Sequence, residues 1–179
     1  MSPNANAANA NATAAAAPEI VTIANKKDEK FLRKKTAPFD FKKFTPKEVR
    51  ELIARMKRIM HEANGIGLSA NQIGLDFKVF VAEVPDAQGG LKFYAIFNPE
   101  IEKVSEEQVT FEEGCLSIPG SFGEVKRSER VAIKGYDKNG KVVKIKAWGL
   151  LARVFQHEID HLNGHLFIDR TKIVHRDEK

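Results

Sequence analysis

The sequence has little cysteine and no long apolar run. One cysteine in 179 residues excludes an intrachain disulfide and suits a reducing compartment, so we expect a cytoplasmic protein. No apolar stretch is long enough to cross a membrane, and we predict no membrane partner. The net charge of +5 and the pI near 9.3 would suit work near nucleic acid or ribosomes. Because many proteins that touch neither share this balance, we predict no specific DNA binding.

The first 18 residues also lack the features of a targeting segment. They are almost only Asn and Ala, without a charged side chain, whereas secretory signals and transit peptides need basic residues. We predict a disordered extension over residues 1–19; a transient helix is the alternative, because alanine favours helix. The rest of the chain is predicted to form one domain over residues 20–170 and a short polar tail over residues 171–179.

The most informative stretch is Gln-His-Glu-Ile-Asp-His-Leu at residues 156–162. Two histidines four residues apart share one helix face, with Cβ atoms about 5–6 Å apart, so His157 and His161 can hold one metal ion. Glu158 is rotated about 100° around the helix and can face a metal-bound water without competing for the metal. This spacing is typical of metal hydrolases. Apolar neighbours predict a buried helix over residues 150–162, and a metal would explain its ionisable groups better than a surface position.

Cys115 is the candidate third ligand. A lone cysteine is usually a small buried hydrophobe, but this one lies in residues 112–120, which we predict to be a loop. A nucleophilic Cys–His pair is conceivable, yet two histidines at metal spacing favour a thiolate ligand and a fourth position for water. The metalloprotease alternative needs a third histidine where Phe167 stands, and His165 comes two residues too early.

The remaining patterns predict an α+β fold. The sequence Thr-Pro-Lys-Glu at residues 45–48 predicts the start of an N-terminal core helix, which ends near Asn64. His61 on its flank is interpreted as a surface histidine, and residues 20–44 are predicted to wrap along the domain surface. Strands are predicted at residues 77–84, 91–97, 101–111, 131–136 and 142–148. We therefore expect mostly antiparallel β-sheets packed around a central metal-binding helix, with the second, N-terminal core helix beside them.

Residues 65–74 contain three glycines among small side chains. This composition predicts backbone that approaches another group closely, although a plain turn from helix to strand is equally compatible. A phosphate loop is a poor match, because the Lys-Ser/Thr ending and the preceding strand are missing. The amide of Gln72 could donate a hydrogen bond into a site formed by this loop.

Three segments together resemble the signature motifs of the peptide deformylase family, in the family's order. They are Gly-Ile-Gly-Leu-Ser-Ala-Asn-Gln at 65–72, Glu-Gly-Cys-Leu-Ser at 113–117 and the histidine motif at 156–162. The resemblance extends more loosely from about residue 20 to residue 169. It implies that the domain removes the N-formyl group from the N-terminal methionine of newly synthesised proteins. It also implies one divalent metal ion, natively Fe²⁺ and replaceable by Zn²⁺, Ni²⁺ or Co²⁺, held by Cys115, His157 and His161.

The resemblance also implies a mechanism. A metal-bound hydroxide would attack the formyl carbon, while Glu158 takes the water proton and passes it to the departing amine. The Gln72 amide and the Leu116 backbone N–H would hold the developing oxyanion. Glu113 would pair with Arg127 to brace the cysteine loop. By the same resemblance, the residues that contact substrate are Ile66, Gly67, Leu68, Val154 and Phe155.

Two residues and the tail depart from the family pattern. Ser69 stands where the family usually has Ala, and Asn71, where Pro is common, is expected to leave the loop less rigid. Residues 171–179 are too short and polar for the C-terminal helix that many relatives use on the ribosome, so a ribosome contact is a weak expectation. We expect a monomer whose partners are formyl-methionyl nascent peptides. The alternatives are a metallopeptidase acting on ordinary peptide bonds and an inactive ribosome-associated binding protein.

Overall fold

The structure, a computed structural model, describes residues 20–176, so the extension predicted over residues 1–19 and the end of the predicted tail lie outside the described residues. Within this range the α-helices are α1 (Lys26–Leu32), α2 (Pro46–Glu62) and α3 (Gly149–Leu162), and short 3-10 helices cover Phe41–Lys43, Ala70–Ile73 and Phe167–Asp169. The strands are β1 (Gly67–Ser69), β2 (Val79–Pro85), β3 (Leu91–Val104), β4 (Gln108–Cys115), β5 (Ile118–Ser128), β6 (Arg130–Tyr136), β7 (Val142–Trp148) and β8 (Val174–Arg176). None of the described helices is both long and apolar enough to span a membrane.

The strands form two sheets, and every pairing described is antiparallel. The larger sheet has the order β1-β2-β3-β6-β7, and the smaller has the order β4-β5-β8. The strands predicted at residues 131–136 and 142–148 form the hairpin β6–β7, with Tyr136 opposite Val142 and Arg130 opposite Trp148. The prediction of an α+β fold with mostly antiparallel sheets is therefore confirmed.

α2 begins at the predicted capping sequence. The Thr45 side chain accepts a hydrogen bond from the Glu48 backbone N–H, and the Glu48 carboxylate accepts one from the Thr45 backbone N–H, which satisfies two otherwise unpaired donors. His61 is exposed, and its Nε2 lies 2.6 Å from the Glu83 Oε2. The buried face of α2 consists of Val49, Leu52, Met56, Ile59 and Met60. α2 is thus the N-terminal core helix that the sequence predicts.

α3 lies at the centre of the domain and packs against strands of both sheets. Phe155, Ile159 and Leu162 join one buried apolar cluster with side chains from the larger sheet. The helix ends just before Gly164, whose φ of 81° is the left-handed conformation common after a helix. A Cβ on Gly164 would lie 2.3 Å from the Arg33 carbonyl oxygen, so a glycine is needed where the N-terminal segment crosses the end of α3.

Residues 20–44 contain more regular structure than the sequence predicts. α1 starts after Asn25, whose side chain accepts a hydrogen bond of 2.9 Å from the Asp28 backbone N–H, an arrangement typical of a helix N-terminus. Leu32 is the fully buried residue of α1. Because this helix spans about two turns and buries one side chain, it carries no apolar periodicity from which it could be predicted.

The stretch at residues 112–120 is a β-hairpin, and the prediction of a loop there is wrong. β4 ends at Cys115 and β5 begins at Ile118, with a register irregularity after Gly114. Glycine, proline and serine interrupt the apolar alternation in β5, which is why the sequence predicts no strand there. Cys115 is consequently held at the end of a paired strand.

The predicted polar tail contributes a strand to the smaller sheet. β8 pairs with β5, placing Ser121 opposite Arg176 and Phe122 opposite His175. The strand is short and its residues are exposed, so it shows neither the length nor the alternation that predicts a strand.

Candidate metal centre

The two histidines of α3 meet the cysteine at the end of β4. The Nε2 atoms of His157 and His161 are 3.2 Å apart, and the Cys115 Sγ lies 3.1 Å from the His161 Nε2. The donor atoms of all three residues lie within 4.8 Å of one another. Helix geometry puts both imidazoles on one face of α3, and the β4–β5 hairpin brings the sulfur to them. The structure thus brings together the three residues that the sequence predicts as ligands.

These side chains fit one divalent cation. The Nε2 atoms of both imidazoles and the cysteine sulfur converge on one point. Their lone pairs would repel one another unless a proton or a cation lies between them. One thiolate and two imidazoles suit iron or zinc, and three protein ligands leave a position for solvent. The His157 Nδ1 lies 3.0 Å from the Glu113 Oε2, the kind of outer contact that orients a metal-binding histidine.

The candidate ligands shift one another's protonation. Burial raises the pKa of the Cys115 thiol, but the neighbouring imidazoles of His161 and His157 outweigh burial and lower that pKa to about 5. Burial lowers the pKa of His157, whereas hydrogen bonds to Cys115 and Glu113 raise it. The resulting pKa of His157 lies well above the usual range. A lowered pKa favours the thiolate of Cys115, which is the form that binds metals.

Cys115 is expected to react rapidly with iodoacetamide at pH 7 after a chelator has removed bound metal. With a thiol pKa of about 5, the alkylation rate should reach half its plateau near pH 5, not near the ordinary value of about 8.5. The chain has one cysteine, so mass spectrometry reports on this site alone. Zinc at one equivalent should protect the thiol. A midpoint above pH 8, or equal labelling with and without zinc, would contradict the assignment.

Glu158 is buried beside the three donor side chains. Its Oε2 accepts a hydrogen bond of 2.7 Å from the Ser69 hydroxyl. Burial raises the pKa of Glu158, although the charges of His157 and His161 act in the opposite direction. A carboxyl with increased proton affinity next to a candidate metal is suited to proton transfer.

The two residues that depart from the family pattern both bind α3. The Ser69 hydroxyl lies 3.0 Å from the Glu158 carbonyl oxygen in addition to its carboxylate contact. The Asn71 amide donates a hydrogen bond of 2.8 Å to the His161 carbonyl oxygen. The Asn71 side chain thus ties the loop to the helix that carries the candidate ligands; the reduced rigidity expected from the loss of proline stays a prediction.

Gln72 is buried and its amide group points towards the candidate ligands. Its Nε2 lies 3.2 Å from the Ser117 Oγ and 3.7 Å from the Cys115 Sγ, while its Oε1 accepts a hydrogen bond of 2.9 Å from the Ser69 backbone N–H. The glycine-rich segment leads from α2 into β1 and then into the 3-10 helix Ala70–Ile73. This backbone fixes the amide with its donor side towards the centre.

A buried ion pair lies behind His157. The Arg127 guanidinium contacts Glu113 through Nε at 2.6 Å and through a terminal nitrogen at 2.8 Å. Burial raises the pKa of Glu113, but Arg127 and then His157 act more strongly in the opposite direction, so the net pKa lies well below the usual range. The predicted pairing of Glu113 with Arg127 is present. It fixes the Glu113 carboxylate, whose second oxygen contacts the His157 Nδ1.

Three further charged residues extend this network, and the sequence interpretation assigns them no role. Arg153 lies 2.6 Å from the Glu113 Oε1, and Asp160 contacts both Arg127 and Arg170. One signal was available in the sequence. Arg153 precedes the first ligand histidine by four residues and therefore shares its helix face, where an arginine among apolar neighbours indicates a buried partner.

An open cavity of about 550 Å³ leads to the centre. The predicted site residues that line it are Ile66, Gly67, Gln72, Glu113, Cys115, Leu116, Val154, His157 and Glu158. Leu68 and Phe155 are fully buried elsewhere: Phe155 packs on Phe80 and Tyr94, and Leu68 joins the core cluster of α2. These two are core residues, not part of the cavity wall, because neighbours in a strand or helix point in different directions.

Comparison with known proteins agrees with this geometry. The sequence model of the polypeptide deformylase family matches residues 18–177. The chain belongs to the peptide deformylase family. Curated peptide deformylases from Thermodesulfovibrio yellowstonii and Halothermothrix orenii are both 45% identical to it, over 130 and 125 residues. The alignments cover 73% and 70% of this chain, and 78% and 79% of the respective relatives. The predicted family and enzyme class are confirmed.

Solved structures of peptide deformylases share the fold. The enzyme from Synechococcus elongatus in complex with actinonin is 34% identical with a TM-score of 0.77, covering 90% of this chain and 83% of that chain. The class I type b enzyme from Acinetobacter baumannii bound to Met-Ala-Ser is 30% identical with a TM-score of 0.78, covering 88% of this chain and 99% of that chain. The deformylase fold therefore extends over nearly the whole described range.

Proposed function

We propose that this chain hydrolyses the formyl amide of N-formylmethionine at the start of newly synthesised proteins. The observation that carries the proposal is the convergence of Cys115, His157 and His161 on one point, with Glu158 and Gln72 beside it at the end of an open cavity. The similar Acinetobacter baumannii enzyme binds Met-Ala-Ser, which has the form of a deformylated peptide. We place the reaction in the cytoplasm, where such peptides would emerge, and propose that the chain acts as a monomer.

Cys115, His157 and His161 would hold one divalent cation. We propose Fe²⁺ as the native metal, with Zn²⁺, Ni²⁺ and Co²⁺ as functional replacements, because a mixed thiolate and imidazole set suits these ions. When bound, the cation would lower the pKa of a water molecule to about 7 and so supply hydroxide at neutral pH. Glu113 would keep His157 in position, since its Oε2 lies 3.0 Å from the Nδ1 of that ring.

Glu158 is proposed to move the proton. Its carboxylate accepts the proton that the attacking water gives up, and later delivers it to the amine nitrogen as the carbon–nitrogen bond breaks and formate leaves. The Ser69 hydroxyl, 2.7 Å from the Glu158 Oε2, keeps the carboxylate aimed during both transfers. The raised pKa of Glu158 favours proton uptake at the first step.

Gln72 and Leu116 are proposed to stabilise the developing oxyanion. The Gln72 Nε2 already points towards the Cys115 sulfur, and Leu116, which directly follows that cysteine, lines the same cavity. A preorganised donor of this kind contributes about 3–4 kcal/mol to the transition state. Ile66 and Val154, which both line the cavity, would receive the methionine side chain, and Gly67 would allow the peptide backbone to come close.

The direct test follows formate release. Protein purified without oxygen and loaded with Fe²⁺ is incubated with formyl-Met-Ala-Ser, and formate and free amine are measured together. The proposal predicts equal amounts of formate and Met-Ala-Ser, and no release from acetyl-Met-Ala-Ser. Cleavage of internal bonds would indicate a metallopeptidase, and no product at all would indicate a binding protein. Either outcome would overturn the proposal.

Gly67→Ala is expected to lower kcat about 10²-fold, the cost of misplacing a reacting group by about 1 Å. A Cβ at Gly67 would lie 2.4 Å from the Glu158 Oε1 and 3.0 Å from the Val154 Cγ1, so the carboxylate must move. The formate assay gives kcat, and metal content serves as the control because no ligand is touched. Full activity with a normal metal load would show that Glu158 does not need its present position.

A further inference from the structure

The C-terminal strand β8 contacts the wall of the substrate cavity. In the smaller sheet, Gly114 on β4 lies opposite Phe122 on β5, and Phe122 lies opposite His175 on β8. Because side chains alternate across a strand and cross-strand partners share a face, these three positions and Glu112 lie on the same face of the sheet. Residues 174–176, part of the segment interpreted from sequence as a plain tail, therefore lie beside the strands that line the cavity.

His175 makes two side-chain contacts on this face. Its ring stacks on Phe122 with a centroid separation of 6.2 Å and an interplanar angle of 28°. Its Nε2 lies 3.1 Å from the Glu112 Oε2. Glu112 is directly opposite Glu124, and such a like-charge pair is unfavourable in a sheet; His175 gives Glu112 a hydrogen-bonding partner on this face.

Both partners of His175 line the cavity, whereas His175 does not. The Phe122 ring covers the Gly114 backbone so closely that a Cβ on Gly114 would lie 2.8 Å from the ring. Gly114 immediately precedes the ligand Cys115. The position of the Phe122 ring therefore determines how much room an incoming peptide finds over this strand.

The wall held by His175 lies at the distance that downstream residues of a substrate would reach. Glu112 is three residues before Cys115 on β4, which is about 10 Å along an extended strand. A peptide bound in an extended conformation, with its formyl group at the centre, covers about 10 Å in its first three residues. A peptide that runs along β4 in this direction would bring its second and third residues past Phe122 and Glu112.

We propose that His175 is a positioning residue for substrate binding: by holding Phe122 and Glu112, it fixes the wall that contacts the residues following formyl-methionine. This inference rests on the proposed deformylase activity. It assigns His175 to peptide affinity and not to the chemical step, because its contacts within the described residues 20–176 are with Phe122 and Glu112 and not with the candidate ligands or Glu158.

The test compares steady-state constants of the metal-loaded, full-length protein. His175→Ala is expected to raise KM for formyl-Met-Ala-Ser about three- to ten-fold, because it loosens one aromatic contact and one exposed hydrogen bond, with kcat and metal content unchanged. The KM for formyl-methionine amide, which ends before the wall, should stay the same. His165→Ala is the matched control, because His165 is also an exposed histidine, whereas the contacts with Phe122 and Glu112 are made by His175.

Two further variants separate the contacts. His175→Phe keeps an aromatic ring for Phe122, and His175→Gln keeps a hydrogen-bonding group for Glu112; each should recover part of the affinity, and both replace the alanine variant if it does not fold. The proposal is overturned if all three variants bind the tripeptide like the wild type. It is also overturned if kcat and metal content fall together, since β8 would then support the metal centre. Failure of the wild-type protein to release formate would instead refute the proposed function itself.

Discussion

Glu158→Ala is expected to keep its metal and lose nearly all turnover. Glu158 is not one of the three converging donors, so its removal leaves the ligands in place. Loss of a general base and acid costs about 10²–10⁴-fold in rate, and here one carboxylate is proposed to serve at both proton transfers. The measurements are kcat from formate release and metal content by mass spectrometry on the same preparation.

Glu158→Gln is the matched control for this experiment. Glutamine has nearly the same shape and still accepts a hydrogen bond from the Ser69 hydroxyl, but it cannot take up the water proton. We therefore expect the glutamine variant to fold normally and to be about as inactive as the alanine variant. Substantial activity in either variant, at a normal metal load, would remove Glu158 from the mechanism.

Arg127→Met is expected to destabilise the fold by about 3–5 kcal/mol, the usual cost of removing one partner from a buried ion pair. The Arg127 side chain is 2% exposed and lies 2.6 Å from Glu113 and 2.8 Å from Asp160. Methionine fills the space but leaves both carboxylates with fewer cationic partners. Urea unfolding of the zinc-loaded protein, followed by circular dichroism, gives the change in the free energy of unfolding.

Arg130→Met provides the comparison. Arg130 also pairs with a carboxylate, Glu107 at 3.4 Å, but the two side chains are 70% and 61% exposed, and surface pairs of this kind contribute below about 1 kcal/mol. If Arg127→Met is no more destabilising than Arg130→Met, the ion pairs of Arg127 with Glu113 and Asp160 do not stabilise the position of α3.

The sequence predicts the elements whose local pattern agrees with their place in the fold. α2 has both a capping box and a continuous apolar face, and the β6–β7 hairpin has alternating strands around an Asn-Gly turn. α1, β5 and β8 lack such patterns: α1 buries one side chain, β5 contains Pro119 and several small residues, and β8 is three exposed residues long. These elements exist because longer-range contacts hold them, which local patterns do not report.

The proposed metal ligands are predictable because metal chemistry restricts both residue type and spacing. The residues around the proposed ligands are less predictable from the sequence. The resemblance indicates that Glu113 pairs with Arg127, but the third member of that cluster, Arg153, comes from a different part of the chain. The resemblance implies that Phe155 contacts substrate, but Phe155 follows the cavity residue Val154 by one position. The rotation of about 100° per helical residue therefore turns it into the core.

The central claim is that Cys115, His157 and His161 bind one cation together. X-ray absorption at the zinc edge, on protein loaded with one equivalent of Zn²⁺, tests it most directly. The account predicts one sulfur at about 2.3 Å and two imidazole nitrogens at about 2.0–2.1 Å, with the sulfur signal lost in Cys115→Ala. A first shell without sulfur in the wild-type protein would contradict the account.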